Sequence, residues 1–212
     1  LVAELPIDQP LRAAKVHTAK DGTLVIDTFE FGDPEPCNLD DPAQAAKVSE
    51  LVTYAAEHAP EWDESQIRGF LQRCSVDEVM TLTPLRKLQH WRLFEEVTGT
   101  EGVAVTLEPE ADPTQSRISV AVANSTRRSV LERIAERLSH AGINIHRAYL
   151  DTIDDGANGW VSFVGFVVTS PEGGPIDAES RRWHRVQHDV RRIKWVDSRA
   201  IKLSRRHDEL DL

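Results

Sequence analysis

The chain has 212 residues, 40% of them hydrophobic and 28% charged, which is the composition of a folded protein with room for one large domain or two small ones. A net charge of −10 argues against general nucleic-acid binding, because attraction to phosphates needs an excess of Lys and Arg. Two cysteines, Cys37 and Cys74, make no disulfide framework, and no apolar run approaches the ~20 residues that cross a bilayer. The opening residues 1–6 have neither the basic nor the long apolar region of a signal peptide and no initiator Met. The expectation is a soluble cytoplasmic protein that has lost its true N-terminus and has no membrane partner.

Residues 11–31 read as a β-hairpin. The β-prone runs 15–18 and 23–29 flank Asp21-Gly22, a dipeptide that supplies the positive φ a tight turn needs. Pro34 and Pro36 end it. From Asp41 the pattern is helical, with Asp41 as N-cap, Pro42 at the first helical position and Val48, Leu51, Val52 and Ala55 on one stripe. Pro60 stops that helix. Residues 62–97 predict two or three more helices. Ile67, Phe70, Leu71 and Cys74 keep the helical period, and Val76, Val79 and Met80 continue it. Thr83-Pro84 opens a helix with Leu85, Leu88, Trp91, Leu93 and Phe94 on its apolar side. Gly99 and Gly102 end it. Residues 103–107 predict a short strand and 108–115 a loop.

The best-organised stretch follows. Ile118, Val120 and Val122 alternate with small residues as in a half-buried strand. Asn124, Ser125 and Thr126 supply N-cap chemistry for a helix striped by Val130, Leu131, Ile134, Leu138 and Ala141. Gly142 then offers a left-handed cap. Residues 143–153 predict a strand and 154–159 a turn. Residues 160–169 form a strand so apolar that both its faces should be covered. A turn at 171–175, a helix over 179–194 and a final strand over 199–203 complete a β-α-β-β-α-β order. Right-handed connections then give a four-stranded antiparallel sheet with both helices on one face, a ferredoxin-like sandwich of the α+β class.

That stretch, Ile118 to Leu131 followed by Ile134, Leu138 and Ala141-Gly142-Ile143-Asn144-Ile145, resembles an ACT domain. The resemblance implies a small effector, usually an amino acid, bound at the loop of Asn124, Ser125 and Thr126 and at the junction of Gly142, Ile143 and Asn144. Such sites often lie at a subunit or domain interface. Chemistry agrees: backbone N–H groups at a helix start favour a carboxylate, and Gly142 lets a ligand approach the backbone. The same residues also suit a plain helix cap and a plain helix end. The first hairpin resembles strands two and three of another ACT unit, like those of bacterial uridylyltransferase sensors, with residues 43–57 as its second helix. An unrelated hairpin with a common Asp-Gly turn fits as well.

The division expected is then 1–60, a partial ACT-like hairpin plus helix; 61–110, a helical insert and short strand; and 111–212, the complete unit. This order is similar to the N-terminal region of the large NAD-dependent glutamate dehydrogenases of bacteria. The resemblance implies a parent that deaminates glutamate to 2-oxoglutarate with NAD, and a fragment that is itself non-catalytic, holds no cofactor or metal, packs against sister ACT or catalytic domains and forms homo-oligomers. A stand-alone amino-acid sensor, the tail of a uridylyltransferase-type regulator and a purely structural interaction module are the competing readings.

Other features weigh less. His184 and His188 lie at i and i+4 and could share a metal, but no Glu completes an H-E-x-x-H pattern and no third ligand is evident. The basic helix around Arg181, Arg182, Arg185, Arg191 and Arg192 suits a solvated face or a dock for an acidic neighbouring domain better than nucleic acid. Cys37 and Cys74 have no CxxC spacing.

Overall fold

A computed structural model describes residues 11–18, 25–31, 35–98, 102–124, 127–155 and 159–193. The four N-terminal helices follow their capping chemistry. Asp41 accepts from the amides of Ala43 and Gln44 at 2.8 and 3.0 Å and starts α1 (Pro42–His58). Asp63 caps α2 (Glu64–Arg73), Ser75 caps α3 (Val76–Thr81), and Pro84 opens α4 (Pro84–Val97). Their apolar stripes meet in a core centred on Phe70, Trp91 and Phe94, with Phe70 ring centroids 5.1 Å from both others.

The strands β1 (Leu11–Thr18), β2 (Val25–Phe31), β3 (Val103–Pro109), β4 (Ser116–Ala123), β5 (Asn144–Asp154) and β6 (Trp160–Thr169) form one six-stranded sheet in the order β2-β1-β5-β6-β4-β3, with every neighbour antiparallel. The remaining helices are α5 (Arg127–His140) and α6 (Arg181–Arg191). The protein is thus a mixed α+β structure built on an antiparallel sheet.

Two features differ from the sequence expectation. The first hairpin does not stand apart, since β1 pairs with β5 from Ala14↔Leu150 to His17↔Arg147. Strands from all three expected stretches therefore share one sheet. Secondly, β3 runs to Pro109 and pairs along the whole of β4, from Val103↔Val122 to Pro109↔Ser116. Only the short 110–115 turn separates the two, so this pairing closes a small loop at low entropic cost. With β3 on one side and β6 on the other, both edges of β4 are taken. The strand expected over 199–203 lies outside the described residues.

Helices cover both faces of the sheet. Val105, Ile118, Val120, Leu150, Val164, Phe166 and Val168 pack against α5 and α6. Their neighbours Ala104, Ala121, Ala123, Ile153, Val161 and Phe163 pack against α1–α4. The alternation of side chains along each strand thus feeds two cores, and β6, apolar throughout, is buried on both sides.

Candidate functional site

The residues expected to hold an effector fall into two separate places. Asn124 ends β4 in a left-handed conformation (φ 51°), and its N–H donates to the Trp160 carbonyl at 2.7 Å. Ser125 and Thr126 lie outside the described residues. Gly142 has φ 74° and closes α5: its N–H donates to the Ser139 carbonyl at 2.9 Å, and that of buried Ile143 to the Leu138 carbonyl at 3.0 Å. Asn144 is exposed, and its side-chain amide donates to the Ser170 carbonyl at 3.3 Å. Asn124 and the Gly142–Asn144 junction lie at opposite ends of α5, whose 14 residues span ~21 Å. One copy of the chain does not bring them together.

Nor is Gly142 kept open for a ligand by the local packing. A Cβ there would stand 3.2 Å from Pro171 Cγ, so the chain's own turn lies against it. Gly142→Ala combines that crowding with a left-handed backbone, and is expected to cost about 1–2 kcal/mol. Chemical denaturation of the variant checks this, and an unchanged midpoint would refute it.

A well-formed concavity lies elsewhere, between the α1–α4 layer and the sheet. It is a cavity of about 370 Å³, lined from α3 and α4 by Glu78, Arg86, Gln89 and His90 and from the strands by Arg117, Ser119, Tyr149, Asp151, Phe163 and Gly165. That volume is in the range of small-molecule sites. Apart from Leu150, the strand residues are odd-numbered members of β4, β5 and β6, and therefore share the face that Ala121, Ile153 and Val161 present to α1–α4. Where those apolar residues give way to polar ones, the helices stand off the sheet and the cavity opens.

One wall is built on a buried charge cluster. Glu78 is 3% exposed and Lys87, also 3%, reaches it with Nζ 2.5 Å from Oε1. His90 Nδ1 lies 2.9 Å from the same oxygen, and its ring stacks on Phe163 with centroids 4.9 Å apart. Burial alone would raise the Glu78 pKa, but Lys87 and His90 outweigh it and hold the carboxyl at about 2. Burial pushes the His90 pKa down, against the pull of Glu78. The ring is thus neutral, and since an ionised carboxylate only accepts, its proton sits on Nδ1 and Nε2 is left as an acceptor. Beneath the cluster Cys74, fully buried, has its thiol pKa raised by burial, and Sγ donates to the Phe70 carbonyl at 3.3 Å. This thiol is not a nucleophile at neutral pH.

The other wall carries two arginines. Arg117 Nε donates to Glu110 Oε1 at 2.5 Å, its Nη2 contacts the same oxygen, and Arg86 Nη2 joins at 2.8 Å. Two guanidinium groups share the Glu110 carboxylate, and Glu108 interacts with both of them. Burial lowers the Arg117 pKa, with Arg86 acting in the same direction. Its Nη1 lies over Gly165, 3.3 Å from where a Cβ would be.

His184 and His188 are exposed on α6, and each Nδ1 faces a neighbour on the same helix: the Ser180 carbonyl at 2.9 Å and Asp189 at 3.4 Å. Among the described residues no group of three or more His, Cys, Asp or Glu side chains could hold a metal ion.

Sequence reasoning missed the cavity because its residues come from five elements and none forms a local motif. Two signals were there to read: Gly165 inside an otherwise apolar strand, and Glu78 and Lys87 set within apolar helical stripes. The chain matches no protein-family model and no curated protein.

Proposed function

We propose that this chain is a non-catalytic regulatory and assembly region that takes an amino-acid effector, and that its parent is a large NAD-dependent enzyme deaminating glutamate to 2-oxoglutarate. The observation that carries the reading is the β4-α5-β5-β6-α6 succession with both helices on one face. The β5-β6-β4-β3 part of the sheet supports a ferredoxin-like, ACT-type core, with β3 at the edge beside β4. Left-handed Gly142 at the α5–β5 junction agrees with it. The parent is inferred from the chain order of hairpin, helices and ACT-like unit. The sequence has no G-x-G-x-x-G run, so NAD is assigned to the parent and not to this chain.

An effector works here only by binding one arrangement of the neighbouring domains more tightly than another. Calorimetric titration of the purified chain with a panel of amino acids, glutamate, aspartate and branched-chain ones included, tests the reading. Selective micromolar binding is the expected result; no heat from any of them with a folded sample overturns it. The packing of Pro171 and Ser170 onto the Gly142–Asn144 junction favours a second reading, a structural module without an effector. That reading requires self-association without ligand, and a monodisperse monomer in sedimentation at high concentration would exclude it.

A further inference from the structure

We propose that the cavity between the sheet and α3–α4 is a binding site for a small carboxylic acid that carries a hydrogen-bond donor beside its carboxylate, such as an amino acid. The proposal rests on the sensing reading above and gives the effector a site on the face of the sheet opposite α5 and α6.

Four observations converge on this chemistry. Gly165 lies in a central strand, where glycine is unfavourable and often marks the close approach of a ligand or another backbone. Its φ is ordinary, so it is not needed for a turn; what its missing side chain does is open the cavity floor beneath Arg117. Arg117 spends Nε and Nη2 on Glu110, and among the described residues its Nη1 has no hydrogen-bond partner, while Arg86 gives Glu110 one Nη. Guanidinium donors that line a cavity are the group that pairs a carboxylate.

On the opposite wall His90 sets the second requirement. With Nδ1 committed to Glu78 and the ring held by Phe163, Nε2 has no hydrogen-bond partner among the described residues and acts as an acceptor. A bound acid must therefore bring an N–H or O–H donor to it. Behind it Glu78 Oε2 is buried without a hydrogen-bond partner. That oxygen is a second acceptor beside Nε2, which suits an ammonium with three N–H donors better than a hydroxyl with one. A 2-oxo acid offers the same carboxylate but no donor, and leaves His90 unsatisfied.

The test uses the whole chain and two variants, with calorimetry against 2-amino acids, the matching 2-hydroxy acids and the matching 2-oxo acids. Gly165→Ile fills the floor; its Cβ meets only the end of Arg117 and the Tyr149 side chain, and a β-branched residue suits a strand. A matched melting temperature shows that it folds. His90→Phe keeps the stack on Phe163 and removes both the acceptor and the Nδ1–H that serves Glu78, so its melting temperature is checked as well. Expected are amino-acid binding weakened at least tenfold by each variant, and oxo acids at least tenfold weaker than amino acids for the wild-type chain. Amino-acid binding that survives Gly165→Ile in a folded protein overturns the site and leaves the sensing reading intact. Hydroxy-acid binding that Gly165→Ile abolishes, with no amino acid bound, supports the site and overturns amino-acid sensing. Oxo acids bound as tightly as amino acids overturn the role given to His90.

Discussion

Replacing Lys87 by Met is expected to destabilise the protein by about 3–5 kcal/mol, although Met fills nearly the same volume. The cause is what the substitution leaves behind. Glu78 is 3% exposed and stays charged because Lys87 sits against it and His90 hydrogen-bonds to it. Without Lys87 the carboxylate must lose its charge or draw a proton onto His90, and either change gives up interactions the folded state now has. The double variant Lys87→Met with Glu78→Leu removes both charges and should recover most of the loss. Urea denaturation of the wild type, the two single variants and the double variant forms a cycle that measures the coupling. A double variant no more stable than Lys87→Met alone would refute the account.

Acid acts on the same cluster from both partners. His90 has a lowered pKa, so as pH falls through its ordinary 6.5 the unfolded chain takes up a proton that the folded one resists. Stability begins to fall there. Glu78 adds a second loss as pH falls from its ordinary 4.5 towards about 2, worth about 3 kcal/mol once complete. The melting temperature should therefore fall in two stages on acidification, and the lower one should be smaller in the Glu78–Lys87 double variant, where Glu110 and other carboxylates with lowered pKa still contribute.

Phe166→Ala is the second large effect, at about 3–5 kcal/mol. Phe166 is fully buried in β6, paired with Ile118 on β4 and Ala148 on β5, on the face that α5 and α6 cover. Three strands and two helices are fixed around it, so the site cannot collapse to fill the void. Leu85→Ala, at a position 54% exposed, removes a similar apolar side chain for less than about 0.5 kcal/mol and serves as the control. Equal midpoints for the two in urea would contradict the packing described.

Much of this architecture is written locally. Asp41-Pro42, Thr83-Pro84 and Gly142 mark helix ends through chemistry that acts within one turn, and the period-two pattern of residues 118–122 marks a strand wherever its partners lie. Long-range pairing carries no such local mark. The union of β1 with β5 joins Lys15 to Tyr149, far apart in the chain, and nothing in either segment names the other. The cavity was hidden for the same reason. Arg117, Ser119, Tyr149 and Asp151 show the alternation that puts them on one face, but the sequence does not show that α3 and α4 stand over that face. Glu78 and Lys87 stand out within apolar helical stripes, but only the packing of α3 on α4 brings them and His90 together.

The distribution of polar residues over the sheet also guards its alignment. In most sheets a strand that slips by one residue exposes its apolar side to water, and that cost holds it in place. Here helices cover both faces, so a slipped β4 would still meet apolar neighbours whichever way it turned. What forbids the slip is Arg117 and Ser119: one step along, they would be driven between β4 and the dry interior beneath α5 and α6, with Glu110 out of reach. A cavity that leaves room for a ligand thereby also leaves only one way for its strands to align.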